Sequence, residues 1–107
     1  MIETAKGLAA LDEICTVPGL TGVYVGPADL AISLGHRPAE GLTTPAVLDA
    51  ITRIQSVASQ AGIVPAIHAN AGKPGKAMAD MGFRMITLAS ESQALRRGAA
   101  EHLKEAK

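Results

Sequence analysis

Gly22-Val-Tyr-Val-Gly-Pro-Ala-Asp-Leu30 is the stretch on which the reading of this chain turns. Val23 to Val25 predict a short apolar β-strand, and Gly26-Pro27 a sharp turn that ends on one carboxylate, Asp29. A buried strand that delivers an acid to one end of a sheet through a tight turn is how α/β proteins present reactive groups. Upstream, a helical segment leads back to a second acid, Glu3, directly after Ile2. The question the sequence poses is whether Glu3 and Asp29 form one site.

Working outward, residues 4–15 carry Ala5, Leu8, Ala9, Leu11, Ile14 and Cys15 along an approximate helical stripe, with Thr4 as the N-cap. Val17-Pro18-Gly19 stops that helix, and the strand Val23–Val25 follows. After the turn, residues 30–35 suit a short helical turn and 36–44 a polar loop. Thr44-Pro45 then opens a helix through Val47, Leu48, Ile51, Ile54, Val57 and Ala58 that ends at Gly62. Residues 63–68 predict a second strand with Pro65 near its start, 76–81 a short helix capped by Gly82, and 83–89 a third strand. Ser90-Glu91-Ser92 opens a last helix, Gln93 to Glu105, with Ala94, Leu95, Ala99 and Leu103 along one side. Strands alternating with helices imply right-handed crossovers and a parallel sheet. Three strands do not close a barrel, which needs eight. The chain is therefore a small open α/β sheet or a piece of something larger.

Composition narrows the function. The 107 residues allow one domain, and 48% apolar with 19% charged residues describe a globular chain. Ten basic and ten acidic side chains cancel, which removes the general attraction to phosphate backbones. One Tyr, one Phe and no Trp leave no platform on which bases could stack, so nucleic acid is not an expected partner. Cys15 is the only cysteine, which precludes an internal disulfide, favours a reducing compartment and reads as a core thiol. No apolar run approaches the roughly 20 residues of a membrane span, and the N-terminus has no signal-peptide order. A cytoplasmic protein is the expectation.

Asp29 suits a metal ion or a general base, and equally suits a cap for the helical turn after it. Glu3 alone is weaker, since acids near chain ends are commonly just solvated. His68 ends the second strand on the same sheet edge as Asp29; it fits a ligand contact or a structural role. His36 and His102 share no ligand spacing with it, so zinc is not expected. Gly72-Lys-Pro-Gly75 lacks the pattern of a phosphate loop, and Lys73 reads as solvent-facing.

Ile2-Glu3-Thr4 together with Gly22–Leu30 and Ser33-Leu-Gly35 resembles the HpcH/HpaI aldolase family, and the likeness continues through Pro65–His68 and Gly82–Leu88. Members are class II, metal-dependent pyruvate aldolases built as (β/α)8 barrels. The resemblance implies that residues 1–107 are one partial barrel domain, the C-terminal half, from the end of strand five to strand eight with their helices. A full barrel takes roughly 250 residues, so the N-terminal half is absent. The family's catalytic Arg and His base lie on those missing strands. Glu3 and Asp29 would hold a divalent metal, magnesium first, with manganese or cobalt as alternatives. The backbone amides of Ala28 and Asp29 would grip pyruvate, and His68 would face the substrate. Ala31 stands near the substrate where many relatives have Ser.

The implied activity is cleavage of 4-hydroxy-2-oxo acids to pyruvate and an aldehyde. A non-catalytic half-barrel acting through association, and an unrelated small α/β binding module, are the competing readings. A homo-oligomer is expected for two reasons. Cutting a barrel leaves open edges beside Val23–Val25 and Met85–Leu88 and uncovers an inner face carrying Val23, Val25, Ile67 and Ile86 or their neighbours. By resemblance, the last helix is also exchanged with a neighbouring subunit.

Overall fold

Thr4 begins the first helix as its sequence position predicts: its side chain accepts from the Gly7 N–H at 2.9 Å, and α1 runs Ala5–Ala9. The computed structural model describes residues 1–107. The single helix expected over 4–15 is two short ones, α1 and α2 (Leu11–Cys15), jointed at Ala10 (φ −89°, ψ 10°). Arg53 spans this joint, pairing with Asp12 at 2.9 Å while its other amino group approaches the Leu8 carbonyl. Next come β1 (Gly22–Val25) and α3 (Pro27–Ser33), the latter a full helix rather than the expected turn. The polar loop contains one 3-10 turn, Pro38–Glu40, clamped by the Arg37 N–H donating to Glu40 Oε2 at 2.7 Å. That backbone bond, and then the guanidinium, hold the Glu40 carboxyl below its usual range.

The remaining elements are α4 (Pro45–Gln60), β2 (Val64–His68), α5 (Gly72–Met81), β3 (Met85–Thr87) and α6 (Glu91–Glu105). Two boundaries depart from the sequence reading. α5 starts at Gly72, a turn earlier, because Pro74 sits in its first turn, where no helical N–H is lost. Gly75 then lets the helix close onto the end of β3, since a Cβ there would strike the Leu88 side chain. β3 is shorter than the apolar run suggests. Phe83 is spent in the core, after Gly82 ends α5 in the left-handed region at φ 108°.

The sheet is β1-β2-β3, parallel throughout, with Val25, Ile67 and Ile86 in one row and Tyr24, Ala66 and Met85 in the next. Alternation sends the two rows to opposite faces. Val25 and Ile67 are fully buried beneath the helices, beside Leu11, Leu30, Ile51 and Ile54. Of the two alternatives the sequence leaves for the inner face, the neighbours of Val23, Val25, Ile67 and Ile86 are the residues turned away from the helices. Val23, Val25 and Ile67 face the helices, and Ile86 packs against the same core. The opposite face presents Gly22, Tyr24, Val64, Ala66 and Met85 to an open cavity of about 350 Å³, whose lining also takes in Thr21 and Val23. The apolar stripe of α4 is what decides this, because Val47, Ala50, Ile51, Ile54 and Ala58 cover one face only.

Cys15 is buried in that core; burial, and then the charge of Asp12, push its thiol up, so it stays protonated and unreactive at neutral pH. α6 contributes nothing to the core. Ser90 and Gln93 cap it reciprocally, yet Leu95 and Leu103 are 74% and 66% exposed. The radius of gyration, 15.5 Å, exceeds the roughly 13 Å of a compact 100-residue domain, and the long dimension reaches 55 Å.

The burial pattern separates two isoleucines on neighbouring helices. Ile51→Ala is expected to cost about 2–5 kcal/mol in urea unfolding. Ile32→Ala, on the exposed side of α3, should stay within about 0.5 kcal/mol of wild type. Equal losses at the two positions would contradict the helix-side core.

Candidate active site

Glu3 is not a loose terminal acid. Ile2 before it is 1% exposed, bridges Val25 in parallel, and donates its N–H to the Tyr24 carbonyl at 2.8 Å. Thr4 after it caps α1, and the Ala5 N–H donates to Ser33 Oγ on α3 at 2.8 Å. Glu3 is thus fixed on both sides beside the end of β1.

Asp29 sits in the first turn of α3, two residues past Pro27, and Gly26 is the N-cap. Its side chain caps nothing, so the capping alternative falls away. The two acids converge at Gly26. A Cβ placed on that glycine would lie 3.0 Å from Glu3 Oε2 and 3.5 Å from Asp29 Oδ2. With φ at −99° the backbone there suits any residue, so what glycine provides is room between two carboxylates. No third His, Cys, Asp or Glu joins them. Two carboxylates with space beside them fit a hard divalent cation that keeps waters and takes further oxygens from a ligand.

Beside this pair lies an open depression of about 190 Å³ whose lining includes Tyr24, Gly26, Ala28, Asp29, His68 and Asn70. Ala28, Asp29 and His68, the three residues the resemblance assigned to substrate, therefore share one surface. Ala28 and Asp29 occupy the first turn of α3, where amides have no helical acceptor, and no loop or turn bond takes them up. Their N–H groups are free to bind an anion. Ala31 is fully buried in the core and is absent from the depression. Its expected place near the substrate is corrected, because it lies on the inner face of α3 with Leu30. His36 and His102 line no part of the site, and Lys73 is exposed as expected.

Tyr24, Thr87 and Asn70 were not singled out by sequence. Tyr24 sends its hydroxyl to within 2.6 Å of Thr87 Oγ1, and Thr87 in turn lies 2.7 Å from His68 Nδ1. Alternation was the available signal: Tyr24 sits between two core valines and must point the other way. Asn70, just past β2, takes a left-handed conformation at φ 62°.

The profile of the HpcH/HpaI aldolase/citrate lyase family matches residues 1–97. A hydroxypyruvate/pyruvate aldolase of Rhizorhabdus wittichii is 35% identical over 107 residues, covering 100% of this chain and 43% of its own. A second, from Paraburkholderia phytofirmans, is 40% identical over 104 residues, 97% of this chain and 39% of its own. The crystal structure of an HpcH/HpaI aldolase/citrate lyase family protein from Burkholderia cenocepacia superposes with a TM-score of 0.92 at 32% identity, over 98% of this chain and 40% of that one. The chain thus spans about two-fifths of the length of these relatives, as a segment of the (β/α)8 barrel they share. With a family profile running through nearly all of its elements, the chain belongs to the HpcH/HpaI aldolase/citrate lyase family.

Proposed function

We propose that residues 1–107 are one partial barrel domain, the C-terminal half, and carry the cation- and pyruvate-binding part of an aldolase site. The observation that carries this reading is the convergence of Glu3 and Asp29 on the space left by Gly26. The names of the relatives support it, among them a 4-hydroxy-2-oxovalerate aldolase of Rhodococcus jostii, 35% identical over 98 residues. The reaction is carbon–carbon cleavage of a 4-hydroxy-2-oxo acid. The bond between C3 and C4 breaks with its electron pair left on C3, the 4-hydroxyl proton passes to a base as the aldehyde forms, and C3 then takes up a proton to give pyruvate.

Glu3 and Asp29 hold the divalent cation, with magnesium the first expectation and manganese or cobalt able to substitute. The chemistry that a bound cation supplies is stabilisation of negative charge developing on the 2-oxo oxygen. The Ala28 and Asp29 amides donate to the pyruvate carboxylate, aided by the positive end of α3. His68, across the depression, hydrogen-bonds the substrate. The base and the cationic side chain that the resemblance calls for belong to other strands of the barrel. A reducing, cytoplasmic setting agrees with the single buried thiol, and no helix is long and apolar enough to cross a membrane.

A second reading, association as a half-barrel, is favoured by one specific observation: α6 exposes Leu95 and Leu103, and the inner face of the sheet is uncovered. Each such side chain left wet forgoes roughly 1.5–3 kcal/mol of burial. Homo-oligomer formation satisfies both readings at once.

Three outcomes test these proposals. Gly26→Ala should weaken Mn2+ binding at least about tenfold in paramagnetic titration, with the circular dichroism spectrum unchanged, because the methyl fills the space between the carboxylates. Undiminished binding would remove the cation site. Aldolase turnover by the 107 residues alone should fall short of a complete barrel by at least the roughly 100- to 10,000-fold that a positioned base contributes. Robust turnover abolished by Asp29→Ala would show that the site rebuilds itself without the other strands. Light scattering over a dilution series should show mass above the monomer; a monomer at every concentration would end the association proposal.

A further inference from the structure

The polar loop 36–44 lines no part of the depression, yet it presses on the turn that does. Gly41 is buried against Pro27, the first residue of α3. A Cβ on Gly41 would lie 2.6 Å from the Pro27 carbonyl oxygen, 2.7 Å from its carbonyl carbon and 3.0 Å from its Cβ. The backbone at Gly41 is ordinary right-handed helix (φ −57°, ψ −29°), so glycine is needed here for closeness and not for conformation. Main chain meets main chain at this point, and neither side can swing away as a flexible side chain would.

Both sides are also held. The Arg37 N–H donates to Glu40 Oε2 at 2.7 Å, and the Arg37 guanidinium reaches Glu40 Oε1 at 3.1 Å. The Glu40 carbonyl accepts from the Thr43 and Thr44 N–H groups at 3.1 and 3.0 Å. The His36 N–H donates to the Ala31 carbonyl at 2.9 Å at one end of the loop, and Leu42 packs on the core at the other. Across the contact, Pro27 is buried, its ring fixes its own φ, and Ala28 and Asp29 follow it directly. A shift of Pro27 is thus passed to the amides and the carboxylate assigned above to pyruvate and cation. Small hard cations accept little departure from their preferred geometry.

We infer that Gly41 and Glu40 are positioning residues: Glu40 sets the loop through Arg37, and Gly41 seats that loop on Pro27, holding Asp29 at the spacing from Glu3 that a divalent cation requires. The inference rests on the site reading given above. It extends the working parts of that site to a segment that touches no ligand.

The test uses the 107-residue chain with Mn2+ as the probe, read by water-proton relaxation, and urea unfolding of the same samples. Gly41→Ala should weaken Mn2+ binding about tenfold, the usual cost of losing a group that orients a metal ligand. Glu40→Ala, which removes the acceptor of the Arg37 N–H, should weaken it about threefold, the worth of one hydrogen bond. Glu40→Gln keeps an acceptor oxygen and should restore most of that loss. Two controls separate positioning from general destabilisation. Ile51→Val should cost about 0.5–1.5 kcal/mol of stability and leave Mn2+ affinity unchanged, and Gly98→Ala, in open space on α6, should leave it unchanged too.

Backbone amide spectra of the metal-free chain form the second readout. Gly41→Ala should move the Ala28 and Asp29 amides while those of β2 stay in place. If wild type binds Mn2+ but neither Gly41→Ala nor Glu40→Ala weakens it, or Ile51→Val weakens it as much, the positioning role is refuted while the site reading stands. If wild type binds no Mn2+, the site reading fails and the inference falls with it. Should Gly41→Ala not fold, the Glu40→Ala and Glu40→Gln pair decides the matter.

Discussion

The burial of Ile2 against β1 is the contact on which the rest of the site depends. Its side chain is 1% exposed, and its N–H donates to the Tyr24 carbonyl at 2.8 Å. One bridge of this kind is a modest interaction, about 0.5–1.5 kcal/mol net for the hydrogen bond. Burying the isoleucine adds roughly 1.5–3 kcal/mol. Together they convert the first residues of the chain into a short fourth line of the sheet and place Glu3 next to Gly26. Without that anchor Glu3 would be a solvated acid near a terminus, and Asp29 would stand alone.

The site then follows from how three elements end. β1 stops at Gly26, Pro27 fixes the first turn of α3, and Ser33 ties α3 back to the start of α1 through the Ala5 N–H at 2.8 Å. Two carboxylates brought together repel, and on the proposed reading the space Gly26 leaves between them is where a cation would offset that repulsion. The same first turn leaves the Ala28 and Asp29 amides without acceptors. The free amides and one of the two carboxylates thus arise within four residues, from one strand-to-helix transition, while Glu3 is brought to them by the bridge of Ile2 to β1. That is why the strand ends of α/β sheets recur as sites.

The two faces of the sheet divide the labour. The helix side carries Val23, Val25, Pro65 and Ile67, which supply stability, while the other side carries Tyr24, Ala66, His68 and Thr87. This second face is partly polar, and its polar groups bond to each other across strands. Such an arrangement suits a lined interior better than a surface left to water. α6 likewise projects beyond the core, with Leu95 and Leu103 exposed.

Much of this was legible in the sequence because it is written in local terms. Alternating apolar runs and Gly/Pro punctuation gave the order of elements, Thr4 and Ser90 announced their caps, and the Ile-Glu-Thr and Gly-Pro-x-Asp-Leu motifs pointed to the family and to Glu3 and Asp29 as its acids. Local pattern ran out where the answer depended on a distant partner. The joint at Ala10 has Arg53 across it, and the early start of α5 accompanies a helix drawn against Leu88. The choice of which strand face is interior stayed open for the same reason. Alternation separates Val23 and Val25 from Tyr24 but does not say which side the helices cover; α4 decides that by packing. The linkage of Tyr24, Thr87 and His68 joins residues 63 and 19 positions apart, and only the register of three parallel strands brings them within hydrogen-bond reach.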